Sequence, residues 1–478
     1  MNPTIKKVAI LGSGIMGSRI ACHFAGIGVQ VLLLDMVSPD AKPGASKAER
    51  NKLVNIALQT AIKSNPSPIY TADVPKRITT GNFEDDLSGI GSCDWIIEAI
   101  VEKLHIKQQL FERVEQFRKP GTLVSTNTSG IPIQMIAEGR SEDFQQHFCG
   151  THFFNPPRYL RLLEIIPTPK TKKWVVDFLL QYGDLFLGKT TVLCNDTPGF
   201  IANRIGIFSI MAILEAMEKT GLTVDDVEAL TGPIIGRPKS ATFRTADVVG
   251  IDTLVHVAKG LFAHCPDDEA RDQFRIPAWL QQMIDNNWLG DKSGQGFFKK
   301  TKTAAGGKEI LTLDLKTLEY GARKKTRFDA IDAAKAIEDL PTRIKTLCAF
   351  PDLAGDFYRS FHYGLFAYVS NRVPVISSTL QGIDDALKAG FGWEIGAFET
   401  WDLLGVEQTV SEMKKAGHVV APWVDDMMAA GVESFFTVKD GKRFVYSPVA
   451  GAIQPVYNSV QERSFIVMKN FSGQTVWK

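Results

Sequence analysis

No run of about eighteen uncharged apolar residues occurs anywhere in the chain, so nothing in it predicts a membrane-spanning helix. No apolar signal core follows the start either: "MNPTIKK" passes directly into a strand pattern, which points away from secretion. An excess of charge of one sign is also missing. Lys plus Arg is 54, Asp plus Glu is 53, and the net charge is +1, leaving no global field for nucleic acid or an anionic membrane. Any polyanionic ligand must be met by a local patch. Cysteine is sparse and scattered: Cys22, Cys93, Cys149, Cys194, Cys265 and Cys348 form no CxxC pair and no metal-type spacing. That excludes a disulfide framework from the expectations, names no metal site, and favours free thiols in a reducing, cytoplasmic setting.

What is present is length and a change of pattern along it. At 478 residues the chain exceeds one ordinary core, so two or three domains are expected. "KKVAILGSGIMGSRIACHFAGIGVQVLLLDM" reads as strand, glycine turn, helix and second strand, a βαβ unit. The apolar runs "DWIIEAIV", "TLVSTN" and "FCGTHFF" then alternate with helical segments such as "KLHIKQQLFERVEQF". This is the pattern of a doubly wound, mostly parallel Rossmann-type α/β sheet, assigned to residues 1–193. From "DTPGFIANRI" onward helical spacing takes over, with a Pro-Gly helix start at Pro198. A helical domain is expected over 194–300 and a linker over 301–340, beginning in the aperiodic "KKTKTAAGGKE" of residues 299–309. A second helical domain follows over 341–450, then a tail over 451–478.

The two helical regions resemble each other. "VDDVEALTGPIIGRPKSATFRTADVVGIDTL" and "IDDALKAGFGWEIGAFETWDLLGVEQTV" share an Asp-Asp helix start, a glycine-rich turn, an aromatic residue and Asp-x-x-Gly, at Asp247/Gly250 and Asp402/Gly405. A degenerate duplication of an all-α unit is the favoured reading, with chance similarity between small helical elements as the plain alternative.

Gly12, Gly14 and Gly17 form GxGxxG directly after a strand, where glycine allows a tight turn and lets a pyrophosphate sit on a helix N-terminus. Asp35 ends the next strand, 23 residues after Gly12, placed to accept both ribose hydroxyls of NAD. An acid there repels a 2′-phosphate, and Met36 follows it where an arginine would serve NADP. NAD is the expected cofactor.

His152 ends one apolar run and Glu164 lies inside the next, twelve residues on. An unpaired carboxylate in an apolar strand costs several kcal/mol, so Glu164 should have a partner, and a chain reversal in "NPPRYLR" would bring it to His152. A carboxylate on one imidazole nitrogen fixes the tautomer and leaves the other for a substrate hydroxyl, the need of a general base. A satisfied core histidine with an exposed glutamate is the plain alternative. Asn127 and Ser129 fall in the loop after a strand, at the ligand-facing end of such sheets, and Asn203 falls early in the first long helix. Ser129 could equally cap a helix before Pro132, and Asn203 could lie on the surface.

"AILGSGIMG", "EAIVEKLHIKQQLF", "STNTSGIPI", "THFFNPPRYLRLLEII" and "DTPGFIANRI" together resemble successive signatures of the L-3-hydroxyacyl-CoA dehydrogenase family. The likeness covers residues 5 to about 300, and with the repeat it extends to about 450, similar to the dehydrogenase part of multifunctional fatty-acid oxidation proteins. It implies NAD-dependent oxidation of a 3-hydroxyacyl-CoA to the 3-oxoacyl-CoA in β-oxidation, with His152 as base and Glu164 orienting it. Ser129 and Asn203 would hold the C3 oxygen and nearby groups, Asn127 and Glu102 would line the nicotinamide side, and Lys107 would lie near the cofactor ribose. The glycine turn, with Ile15 and Met16 inside it, would meet the pyrophosphate. Implied partners are a homo-oligomer, or enoyl-CoA hydratase and thiolase, fused or associated. A non-catalytic, crystallin-like NADH-binding relative and a dehydrogenase of another hydroxy acid are the competing readings.

Two features depart from the smaller members of the family. Where they have a helical arm that meets coenzyme A, this chain has "SKAERNKLVNIALQTAIKSNPSPIYTADVPKR". Val54, Leu58 and Ala61 give the arm an apolar face, and Lys47, Arg50, Lys52 and Lys63 could meet CoA phosphates or simply be solvated. In the repeat, aligning Arg359 with Arg204 sets Tyr358 where Asn203 stands, so the second copy is expected to brace rather than catalyse. The strand-like ending "QERSFIVMKNFSGQTVWK" suggests a piece of a longer protein.

Overall fold

The computed structural model describes residues 4–302 and 306–456. Among these the chain divides into two compact units, the first ending at Phe200 and the second spanning Ile201–Val456.

The first unit is built on one sheet of β1 (Lys7–Leu11), β2 (Gln30–Asp35), β3 (Ile78–Asn82), β4 (Trp95–Glu98), β5 (Leu123–Thr126), β6 (Phe148–Phe153), β7 (Leu162–Pro167) and β8 (Thr190–Leu193). The strand order is β3-β2-β1-β4-β5-β6-β7-β8. The strands from β3 to β6 are parallel, and the order reverses between β1 and β4, where doubly wound sheets bind their ligands. Val8, Ala9, Ile10 and Leu11 are all 0 % exposed, as a parallel strand covered on both faces requires. β7 breaks the pattern by running antiparallel to β6, and β8 then lies parallel to β7. The apolar runs on both sides of "NPPRYLR" therefore lie side by side.

The arm after β2 packs Val54, Leu58 and Ala61 inward from helix Lys52–Ile62. Three of the four cations named above are engaged within the chain. Lys47 pairs with Asp86 at 2.7 Å, Arg50 with Asp85 at 2.7 Å and Lys52 with Asp40 at 3.5 Å, while Lys63 is exposed.

The second unit opens with helix Ala202–Thr220, four residues later than the Pro198 start the sequence suggests. Gly199 and Phe200 take left-handed φ values of 73° and 47°, so the chain turns before it coils. Two expectations are corrected here. Residues 301–340 are not a plain linker: β9 (Phe298–Lys302), β10 (Lys308–Leu313) and β11 (Tyr320–Ala322) form an antiparallel sheet, and helix Asp329–Ala334 follows. Residues 341–450 and the start of the tail are not all helix, since β12 (Phe436–Lys439), β13 (Lys442–Ser447) and β14 (Ala452–Pro455) form a second antiparallel sheet. Both sheets are small and largely exposed, held by ladder hydrogen bonds more than by buried apolar surface, so they leave little apolar period to read. The rest of the tail, from residue 457, lies outside the described residues.

The duplication has a counterpart in the hydrogen bonds. Asp247 accepts from the N–H groups of Phe297 and Phe298 at 2.8 and 3.0 Å, and Asp402 from those of Phe435 and Phe436 at 2.7 and 2.9 Å. Glu228 receives the N–H groups of Phe243 and Arg244, and Asp384 those of Phe398 and Glu399. Gly250 and Gly405, three residues after the paired aspartates, have φ of 103° and 87°. Tyr358 is fully buried and donates to the Leu230 carbonyl at 2.8 Å. Its helix, Leu353–Asn371, packs along Ala202–Thr220, with the rings of Tyr368 and Phe208 stacked 3.8 Å apart. The second copy braces the first helical copy through these contacts. No helix among the described residues is long and apolar enough to cross a membrane.

Candidate active site

The glycine turn is set by close approach. Gly12 has φ of 103°, and a Cβ there would lie 2.6 Å from the Ala99 carbonyl oxygen; a Cβ at Gly17 would lie 1.9 Å from the Gly12 carbonyl oxygen. Gly14 is different, since a Cβ there would meet nothing within 4 Å. It stands at the start of helix Ile15–Gly26, which has no side-chain cap, so the first-turn N–H groups are left for an anion. Ile15 is 69 % exposed at this end, and Met16 packs against the core. Asp35 closes β2, accepting from the Ser13 N–H and hydroxyl at 2.6 and 2.5 Å through Oδ2 and from the Met36 N–H at 2.7 Å through Oδ1. The turn, the uncapped helix and the acid fit a dinucleotide, whose pyrophosphate the helix start could hold and whose ribose Asp35 could hold.

The loops after β4 and β5 are fastened to each other by charge. Lys107, expected near the cofactor ribose, is 1 % exposed and sends its ammonium to Glu98 at 2.8 Å and Glu102 at 3.2 Å. Glu98 also accepts from the Thr126 hydroxyl and the Ile100 N–H, both at 2.6 Å. Burial raises the Glu98 pKa despite these partners. Glu102 accepts from the Thr128 hydroxyl at 2.5 Å and the N–H groups of Ser129 and Gly130 at 2.9 and 3.1 Å. Burial opposes its charge, but Lys107 and these donors hold its carboxyl below the usual value. Glu102 therefore fixes the backbone that carries Ser129.

Ser129 does not cap the helix beyond Pro132. The N–H groups of Ile133 and Gln134 go instead to Asp196 at 2.8 and 2.9 Å, whose pKa burial raises. Asn127 accepts from the Phe153 N–H at 2.9 Å through its side-chain oxygen, tying the loop after β5 to the end of β6.

His152 and Glu164 stand directly opposite in the β6–β7 register. Cross-strand neighbours share a face, and His152 Nδ1 lies 2.7 Å from Glu164 Oε2. Glu164 is 0 % and His152 6 % exposed. The imidazole is flanked by Phe154 and Phe200, with ring centroids 4.7 and 5.6 Å away. Among the described residues no group hydrogen-bonds its Nε2, which is the nitrogen left for a ligand.

Gly12, Gly14, Asp35, Glu102, Lys107, Asn127, Ser129, His152 and Glu164 all belong to the first unit, about the carboxyl ends of β1, β2, β4, β5 and β6. Asn203 lies in the first turn of helix Ala202–Thr220, in the second unit. Sequence reasoning missed Glu98, Thr128 and Asp196. Glu98 carried the same signal as Glu164, an acid inside an apolar strand; Asp196 carried none, because its partners lie over sixty residues away.

A doubly wound sheet with this strand order, glycine turn and acid defines a dinucleotide-binding domain. The comparisons carry the assignment further. Residues 7–197 match the family model of the 3-hydroxyacyl-CoA dehydrogenase NAD binding domain, and residues 199–300 that of the same family's C-terminal domain. The chain belongs to the 3-hydroxyacyl-CoA dehydrogenase family. It is 43 % identical over 454 residues to a probable 3-hydroxyacyl-CoA dehydrogenase of Bacillus subtilis, covering 93 % of this chain and 57 % of that protein. It is 48 % identical over 298 residues to one of Deinococcus radiodurans, covering 62 % of this chain and 84 % of that protein. It therefore spans little more than half of the first relative's length. The solved structure of 3-hydroxybutyryl-CoA dehydrogenase from Escherichia coli K12 shares the fold at 24 % identity, with a TM-score of 0.60, covering 87 % of this chain and 95 % of that one.

Proposed function

We propose that the chain oxidises (S)-3-hydroxyacyl-CoA to 3-oxoacyl-CoA with NAD, in fatty-acid β-oxidation. The observation that carries the reading is the buried contact of 2.7 Å between His152 Nδ1 and Glu164, on the sheet that bears the glycine turn. Glu164 holds Nδ1 as the donor, so Nε2 is the basic nitrogen. His152 takes the proton of the 3-hydroxyl at Nε2, the C3–oxygen bond becomes a carbonyl, and the Glu164 carboxylate stabilises the imidazolium. NAD, when bound, supplies the acceptor for the hydride of C3. By the family resemblance Ser129 and Asn203 would hold the C3 oxygen and nearby groups, and Asn127 and Glu102 would line the nicotinamide side. Phe154 and Phe200 keep water from the imidazole.

The fatty-acid context draws support from a relative of Rickettsia felis named as a putative fatty acid oxidation complex trifunctional enzyme, 32 % identical over 88 % of this chain and 56 % of that protein. On this reading hydratase and thiolase activities are its partners, and the setting is cytoplasmic. The test is NADH consumption with acetoacetyl-CoA by the wild type, His152→Ala and Glu164→Ala. Turnover by the wild type, falling about 10²–10⁴-fold in kcat without the base while NADH still binds, supports the proposal. A folded wild type that binds NADH but turns over neither acetoacetyl-CoA nor longer 3-oxoacyl-CoAs overturns it and favours a binding protein.

A further inference from the structure

Helix Ala202–Thr220 presents Gly206, Ser209, Ile210 and Ile213 along one face, at helical spacing. That face forms one wall of a cavity of about 40 Å³ within the second unit, closed on the other side by Arg237, Pro238, Thr242, Phe391 and Trp393. The Phe391 ring lies against Gly206, where a Cβ would come within 2.1 Å of it. The cavity is thus a seam between the two helical copies, since Phe391 and Trp393 come from the second and the rest from the first.

Two polar groups line this seam, one with no partner and the other with no acceptor for its edge. Ser209 is 2 % exposed, and its hydroxyl has no hydrogen bond. Arg237 lays its guanidinium 4.0 Å from the Trp393 ring centroid and 5.3 Å from that of Phe361. Stacking satisfies the faces of a guanidinium but not its edge, which carries five N–H donors in a fork matched to a carboxylate. Among the described residues no carboxylate or carbonyl accepts from that fork, whereas Arg204, in helix Ala202–Thr220, has Asp268 at 2.5 Å. Burial pushes the Arg237 pKa down to about 9, the opposite of what a neighbouring carboxylate would do. The group remains a cation at neutral pH without a counter-charge from the chain.

We propose that this cavity binds a carboxylate from solution, accepting from the Arg237 fork and the Ser209 hydroxyl. Its size sets the head group. A water needs roughly 10–15 Å³ of such space, so the cavity takes about three to four heavy atoms, enough for a carboxylate and the carbon attached to it. Ile210, Ile213, Pro238 and Phe391 supply apolar walls for the first carbon of an alkyl tail. The ligand class is a small monocarboxylate of acetate or propionate type, which would lock the two helical copies together at their seam.

The test uses the full chain and acetate itself, with binding read by saturation transfer to the acetate methyl group and by the melting temperature at constant ionic strength. The wild type is expected to show saturable binding and a raised melting temperature. Acetamide, of the same shape without charge, is expected to do neither. Arg237→Met should weaken acetate by at least about tenfold, the loss of one charge-assisted pair. Ser209→Ala, which removes one hydroxyl and no charge, should weaken it less and guards against misfolding of the arginine variant. His152→Ala should bind acetate as the wild type does, placing the event away from the dyad. No saturable binding by the wild type, equal binding of acetamide or chloride, or full binding by a folded Arg237→Met overturns the proposal.

Discussion

Lys107 and Glu98 form an ion pair at 2.8 Å with both side chains essentially removed from solvent. Two charges cannot leave water this way unless each answers the other, and here the cation answers Glu102 as well. Lys107→Met is expected to destabilise the chain by about 3–5 kcal/mol, the cost of leaving a buried charge unmatched, as read by urea denaturation. Adding Glu98→Gln should recover part of the loss. A single variant as stable as the wild type would show that the pair is not sealed from water. The same variant loosens Glu102 from the Ser129 backbone, so a weaker NADH complex should accompany the lost stability.

On the proposed function Asp35 is expected to set the choice of cofactor. Its carboxylate ends β2, and exposed Met36, not an arginine, follows it. Fluorescence titration is expected to give much tighter binding of NADH than of NADPH, and Asp35→Ala should narrow the difference mainly by weakening NADH. Equal dissociation constants in the wild type would remove the acid from the ribose.

Asp196 caps a helix from sixty residues away, receiving two N–H groups of the segment that follows Ser129. Asp196→Ala should cost about 0.5–2 kcal/mol, the worth of an N-cap. The KM for the acyl-CoA should rise too, because the segment after β5 loses an anchor. A change in stability with no change in KM would confine Asp196 to a structural part.

Asp247 and Asp402 predict how stability responds to pH. Burial raises their pKa to about 6 and about 7 in the folded chain, above the ordinary carboxyl value near 4 that they have when unfolded. A group raised in this sense favours folding fully below its unfolded pKa and loses that contribution as pH rises through the folded one. The melting temperature should therefore fall as pH climbs from about 4 to about 7 through this contribution. Asp402→Asn should flatten its upper part, near pH 7. A slope unchanged in that variant would show that burial does not govern this carboxyl.

The parts of this architecture that repeat or alternate were legible in the amino acids. Continuous apolar runs between helical segments gave the parallel sheet, and an acid and a histidine inside neighbouring runs gave the β6–β7 pairing. The rule that a carboxylate in an apolar strand needs a partner applied equally to Glu98. It was hidden there because its lysine sits on a helix whose other face is polar and exposed. The small sheets of the second unit escaped because hydrogen bonds between half-exposed strands leave no period of two. The Ala202 helix start escaped because Phe200, an aromatic residue with a left-handed φ, carries no glycine-like warning. The engaged cations of the arm escaped because ion pairs across thirty or more residues follow from folding, not from spacing.

The reversal between β6 and β7 has a consequence for how this region can change. Side chains along a strand alternate between faces, so inserting or deleting one residue within β6 would carry His152 to the opposite side of the sheet and strand Glu164 against a neighbour meant for the other face. Two residues would restore the facing but shift the meeting point by one step of the ladder. The segment between the strands obeys no such parity: residues 154–161 can lengthen or shorten while the pairing is kept. Length variation is thus permitted in the turn and forbidden a few residues to either side, so the dyad is protected by arithmetic as well as by burial.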